Sequence, residues 1–173
     1  EFQDLSPIVV VSGNTGVGKT DLILKVDNSI DLEGLANHRG SAFGKRVAPQ
    51  PSQVDFENAV AIDLIKKRPA SFIVLEDESR LIGRIQVPHE LKRAMDAAPV
   101  VVLNEPLEQR IERIRRDYII SQYDELCELN ADRAIELLSE QLLSATDAIR
   151  KRLGGVNHQE VRKMVENALI QHA

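Results

Sequence analysis

The chain has 173 residues, 43% of them hydrophobic and 28% charged, enough for one cored domain or one domain with an appendage. Its 22 basic and 27 acidic side chains leave a formal charge of −5, which excludes a protein that grips nucleic acid with its whole surface; any RNA contact is local. Aromatics at 3%, without Trp, argue against a base-stacking platform, and one Cys excludes a disulfide framework and fits a reducing, cytoplasmic setting. No apolar run approaches the ~20 residues of a membrane span.

In chain order, Ile8-Val9-Val10-Val11 reads as the first strand: β-branched, without alternation, as in strands buried on both faces of a parallel sheet. A helix is expected over Thr20 to Val26, and a weaker strand over Ser29 to Leu32. Asp55 to Lys67 places Phe56, Val60 and Leu64 at four-residue steps, a helix, before a second strong strand at Phe72 to Leu75. His89 to Ala97 reads as helix and Val100 to Leu103 as the third strong strand, again expected to be buried on both faces. Beyond it, Leu107, Ile111, Ile114 and Tyr118 recur at helical spacing. So do Ala131 to Leu142 and Val161 to Leu169, with Gly154-Gly155 breaking the last helices apart. Strands alternating with helices imply an α/β core over 1–105, and the rest a helical extension over 106–173 packed on it.

The first strand runs into Gly13-Asn14-Thr15-Gly16-Val17-Gly18-Lys19-Thr20, which matches the Walker A pattern G-x-x-x-x-G-K-S/T. Glycines let the backbone wrap so that successive N–H groups face one anion. Lys19 adds a mobile cation and Thr20 a hydroxyl for Mg²⁺. The core is therefore expected to be a P-loop NTPase-like parallel sheet flanked by helices. The second strong strand ends in Glu76-Asp77-Glu78, where an acid at the strand end beside a phosphate loop holds Mg²⁺; Glu76 and Asp77 are the candidates beside Thr20. A solvated charge run is the plain alternative. Asp31 and Glu33 face the same site or stand as surface carboxylates. The third strand ends Asn104-Glu105-Pro106-Leu107, without the N-K-x-D that reads guanine.

Between Gly34 and Val54 there is no acid, while His38, Arg39, Lys45 and Arg46 are present. This reads as a long, flexible cationic lid over the phosphate loop, with Arg39 as a charge-stabilising partner and His38 as a phosphate contact or proton carrier; a solvated loop with scattered charge, and a structural His38, are the plain alternatives. Arg80 is a candidate arginine finger or a partner of Glu76 or Glu78. The cluster Arg110, Arg113, Arg115 and Arg116 is interleaved with acids, which favours pairing within its own helix. Arg150-Lys151-Arg152 has fewer local acids and is the better RNA-backbone candidate. Cys127 lies in an acidic helical stretch and reads as structural.

Five blocks together carry a family likeness: SGNTGVGKT (12–20), DLEGLANHRGSAFG (31–44), QPSQVDFEN (50–58), LEDESRLIG (75–83) and IRKRLGG (149–155). In this order they resemble the P-loop half of bacterial tRNA 2-selenouridine synthases. The resemblance implies a transferase acting on the wobble uridine of tRNA. It implies that 2-thiouridine is geranylated from geranyl diphosphate and converted to 2-selenouridine with selenophosphate. It further implies a rhodanese-like domain with an essential Cys ahead of the P-loop half; that domain is absent here and Cys127 is not its counterpart. The chain also opens Glu1-Phe2 rather than with Met, so a piece of a longer protein, not fully active alone, is expected. Combined with the residues, the likeness puts the (di)phosphate on Gly13 to Thr20 with Mg²⁺, and leaves open whether ATP or GTP binds there instead. Two other readings compete: a small-molecule kinase or ATPase, and a non-catalytic tRNA-binding module whose P-loop only stabilises the fold.

Overall fold

The computed structural model of the chain describes residues 7–68 and 70–172. Residues 1–6 and 69 of the expected core and residue 173 of the extension lie outside it. The core runs β1 (Ile8–Ser12), α1 (Lys19–Ile23), β2 (Ser29–Ile30), α2 (Leu32–Leu35), α3 (Gln53–Lys66), β3 (Ile73–Glu76), β4 (Leu81–Ile82), β5 (Ile85–Gln86), α4 (His89–Asp96) and β6 (Val100–Val102). Four of these strands form one parallel sheet in the order β2-β3-β1-β6, while β4 and β5 make a small antiparallel hairpin.

Ile8 pairs with Ile73 and Val10 with Leu75, so these side chains share one face of the sheet. That face is covered by Phe56, Val60 and Leu64 of α3 and by Leu91 and Met95 of α4, all buried. Val11 and Val74 point the other way, against Ile23 of α1. Helices on both faces explain why β1 and β3 carry unbroken apolar runs.

Local chemistry shifts several boundaries. Ser52 caps α3, its hydroxyl accepting from Asp55 N at 3.2 Å, so the helix starts ahead of the Asp55 expected from periodicity. Asp31 leaves the expected strand to cap α2, accepting from Gly34 N at 2.7 Å. α1 spans only five residues; beyond it the chain bends, and Ser29 donates to Val26 O at 2.7 Å. β6 departs from the expected two-sided burial: Val100, Val101 and Val102 are 55%, 48% and 69% exposed. It is an edge strand that pairs only with β1 among the described residues.

The extension comprises α5 (Leu107–Arg115), a π-helical turn (Arg116–Ile120), α6 (Ser121–Asn130), a 3₁₀ turn (Ala131–Arg133), α7 (Ala134–Ala148), α8 (Arg150–Leu153) and α9 (Gly155–His172), with the break at Gly154. Leu126, Ala134 and Leu138 form a small core of their own, joined by Val47 from the α/β part. Of the expected apolar stripe Leu107, Ile111, Ile114 and Tyr118, only the second half faces inward: Leu107 and Ile111 are exposed, Ile114 and Tyr118 half-buried. The inward positions are Arg110, Arg113 and Ile114, which meet the phosphate loop instead. Among the described residues no helix is long and apolar enough to cross a membrane.

Candidate functional site

The loop between β1 and α1 makes a tight turn. Val17 N donates to Asn14 O at 3.1 Å, and Gly16 and Gly18 take φ values of 80° and 91°, a region open to glycine. Gly16 has a second reason to be glycine: a Cβ there would stand 2.6 Å from Arg110 O and 2.8 Å from Ile114 Cγ1. Lys19 Nζ folds back to donate to Gly13 O at 3.1 Å. Thr20 Oγ1 donates to Glu76 Oε2 at 3.0 Å, which joins the phosphate loop to the end of β3.

This loop floors a cleft of about 480 Å³ at the carboxyl end of the sheet. Glu33, Glu76 and Glu78 converge in it, with one oxygen of each within 4.8 Å of the others. Glu76 is fully buried and its Oε1 has no hydrogen-bond partner. Burial, then the neighbouring Glu33, Asp31 and Glu78 carboxylates, push the Glu76 pKa up to about 9. Burial and Glu33 push Glu78 up to about 8. Oxygen ligands of this kind, with a buried carboxylate oxygen lacking a partner, suit a hard divalent cation. Asp77 lines the same cleft but stands apart from this cluster, accepting from Ser12 Oγ at 2.6 Å. Glu33, which the sequence left open between this site and the surface, is a central member, and it also accepts from Gly40 N.

The stretch expected to be a flexible lid is built as a wall. Arg39 N donates to Gly44 O at 2.9 Å and Gly44 N to Ser41 O at 2.9 Å. A Cβ on Gly44 would fall 1.6 Å from Arg39 O, so no side chain can stand there. Asn37 and Gln50 fasten the flanks through Ala48 O, Ala36 O and Ile82 O. Arg39 lines the cleft and stacks on Tyr118 of the π-helical turn, 5.3 Å from the ring centroid. His38 does not join it: it packs beside Gly83 of the hairpin, with Nδ1 buried and unpartnered, and burial lowers its pKa. Arg80 is exposed outside the cleft, its guanidinium 3.1 Å from the Gln86 side-chain amide, and pairs with neither Glu76 nor Glu78.

The arginines of α5 behave differently from the intrahelical pairing favoured by sequence. Arg115 does pair with Glu112, at 3.0 Å, and Arg116 with Asp117, at 2.8 Å. Arg110 Nε, however, donates to Thr15 O at 3.1 Å, and Arg113 Nη1 to Gly16 O at 2.7 Å. A signal for Arg110 was present: it has no acid three or four positions away. Arg113 has Asp117 at that distance and gave none.

A second cleft of about 1150 Å³ opens beside the first and is mostly apolar, walled by Phe43, Ile114, Leu138, Leu142 and Val165 among others. The two clefts share Thr15, Gly40, Ser41 and Tyr118. Arg150 and Lys151 are exposed on α8, while Arg152 borders the apolar cleft.

Residues 6–173 match the family model described as the tRNA 2-selenouridine synthase AAA domain. This chain belongs to that family. A tRNA 2-selenouridine synthase of Pseudomonas syringae pv. syringae is 48% identical over 165 residues, covering 94% of this chain and 45% of the relative. One from Hahella chejuensis is 46% identical over 169 residues, and one from Alcanivorax borkumensis 44% over 170, covering 95% and 96% of this chain and 45% and 47% of the relatives. The chain thus spans just under half the length of the curated relatives it matches. No solved structure matches it. In this chain the segment Asp31–Gly44 supplies Glu33, Arg39 and the shared residues Gly40 and Ser41 to the cleft wall.

Proposed function

We propose that this domain is the prenyl diphosphate-binding part of a tRNA-modifying transferase. It holds geranyl diphosphate while the sulfur of a wobble 2-thiouridine attacks the first carbon of the chain. The S–C bond forms, the C–O bond breaks, and diphosphate leaves. The same loop takes selenophosphate for the conversion to 2-selenouridine. A tRNA substrate places this work in the cytoplasm.

One observation carries the reading: the polar cleft over the phosphate loop and the apolar cleft beside it share the wall formed by Thr15, Gly40, Ser41 and Tyr118. A nucleotide needs the first cleft alone. An amphiphile with an anionic head and a hydrocarbon tail fills both. The family match and the relatives' names support tRNA as the acceptor.

In this account the N–H groups of the loop from Gly13 to Thr20, with Lys19 and Arg39, bear the charge that grows on the leaving diphosphate. Thr20, Glu76, Glu33 and Glu78 would hold Mg²⁺, which when bound neutralises phosphate charge. Seven acidic side chains against four cationic ones line the polar cleft, and a cation that displaces the protons of Glu76 and Glu78 would favour entry of the anion. Arg150, Lys151 and Arg152, exposed on α8, would meet the tRNA backbone.

Calorimetric titration with geranyl diphosphate, inorganic diphosphate, selenophosphate, ATP and GTP, each with Mg²⁺, tests this. Burying even a third of the ten-carbon chain contributes about 3 kcal/mol, so geranyl diphosphate should bind on the order of 100-fold tighter than inorganic diphosphate. Equal affinity for the two, or tighter binding of ATP, supports the kinase or ATPase reading instead.

A further inference from the structure

Resting on the reading that the loop binds a diphosphate, we propose that Arg113, carried by the helical extension, is an anion ligand of that loop, and that Asp21 competes with the anion for it.

Arg113 is the only cationic residue of the extension among those lining the polar cleft. Its guanidinium lies flat over the loop: a Cβ on Gly18 would stand 3.2 Å from Arg113 Cζ and 3.4 Å from Nη2. Nη1 donates to Gly16 O at 2.7 Å and Nε to Asp21 Oδ2 at 3.0 Å. Among the described residues Nε and Nη1 make one hydrogen bond each and Nη2 none, which leaves three of the five N–H donors of this side chain uncommitted, two of them on Nη2, beside the loop that faces the anion. The side chain is 22% exposed, so its charge is only partly screened by water.

Asp21 immediately follows Thr20 and also accepts from Arg116, at 3.5 Å. It therefore holds the cation in place while the loop is empty, and it is 43% exposed, so release of the guanidinium leaves its carboxylate solvated rather than stranded. Carboxylate and phosphate oxygens compete for the same planar fork. Ile114, the next residue on α5, walls the apolar cleft, and so the helix that carries the cation also touches the site of the tail.

The test is titration of inorganic diphosphate with Mg²⁺ into the wild-type chain, Asp21→Asn, Arg113→Ala and the double variant, with melting curves for each. Arg113→Ala should weaken binding at least 10-fold. Asp21→Asn should tighten it several-fold, since the guanidinium is freed. Removing the Asp21 charge alone would also favour an anion, so the double variant decides: the tightening must vanish in the Arg113→Ala background. Should Arg113→Ala fail to fold, Arg113→Lys, which keeps the charge without the fork, replaces it alone and in the double variant, and should itself bind several-fold more weakly than the wild-type chain. Wild-type affinity in Arg113→Ala or Arg113→Lys, or tightening by Asp21→Asn that persists without Arg113, overturns the inference alone. A wild-type chain that binds no diphosphate at all overturns it together with the reading on which it rests.

Discussion

Thr20 Oγ1 donates to Glu76 Oε2 at 3.0 Å, tying the last residue of the phosphate loop to the fully buried end of β3. The other Glu76 oxygen is left without a partner, in a carboxyl group that lies beside Glu33 and Glu78. A buried carboxyl so placed is stable only when protonated or next to a cation.

Stability should therefore fall as pH rises. Folding raises the pKa values of Glu76 and Glu78 from 4.5 to about 9 and about 8, so the folded state binds more protons than the unfolded chain between those limits. Their contribution is fully present below pH about 4.5 and is lost progressively up to pH 8–9. Melting curves of the metal-free chain should show a lower Tm at pH 8.5 than at pH 6, and Mg²⁺ should restore much of the difference. Glu78→Gln, which removes one of the coupled charges, should flatten the pH dependence.

The apolar cleft can be filled from α9. Ala168 borders it, and Ala168→Trp places an indole in the space assigned to the prenyl chain. Geranyl diphosphate affinity should drop at least ~10-fold, about 1.4 kcal/mol, while inorganic diphosphate binding stays unchanged. Parallel loss of both ligands would mean that the substitution disturbs the fold rather than the tail site.

Gly16 is where the loop meets α5. A Cβ there would stand 2.6 Å from Arg110 O at a φ of 80°, so Gly16→Ala forces loop and helix apart. Strain at such a position costs on the order of 1–3 kcal/mol. Denaturant unfolding should show that loss, and diphosphate binding should weaken with it, since Arg113 is displaced on the same helix.

On α8, replacing Arg150, Lys151 and Arg152 together by Ala should weaken tRNA binding and make its salt dependence shallower by a slope of about 2. Fluorescence anisotropy across a salt series reads both. An unchanged slope places the tRNA backbone elsewhere.

The sheet and the phosphate loop were legible because both are local: β-branched runs mark β1 and β3, and the glycine spacing marks the turn between β1 and α1. The acidic cluster was half legible. Glu76 follows directly from the strand end, but Glu33 and Glu78 join it only because β2 pairs beside β3 and the wall from Asp31 to Gly44 folds over both. The edge position of β6 followed from strand order, which an unbroken valine run does not encode. The role of α5 was hidden because helical charge spacing looks alike whether an arginine meets its own helix or a loop 97 residues away, as Arg113 meets Gly16. Tyr118, at the junction of the clefts, depended on the π-helical turn, which shifts the helix face.

The most direct measurement is the affinity of geranyl diphosphate in Mg²⁺ for the wild-type chain and for Lys19→Ala. Binding in the wild-type chain that weakens at least ~10-fold without Lys19, with little change in Tm, is the expected result. Equal affinity in the two proteins, or none in either, would contradict a diphosphate seated on the loop from Gly13 to Thr20.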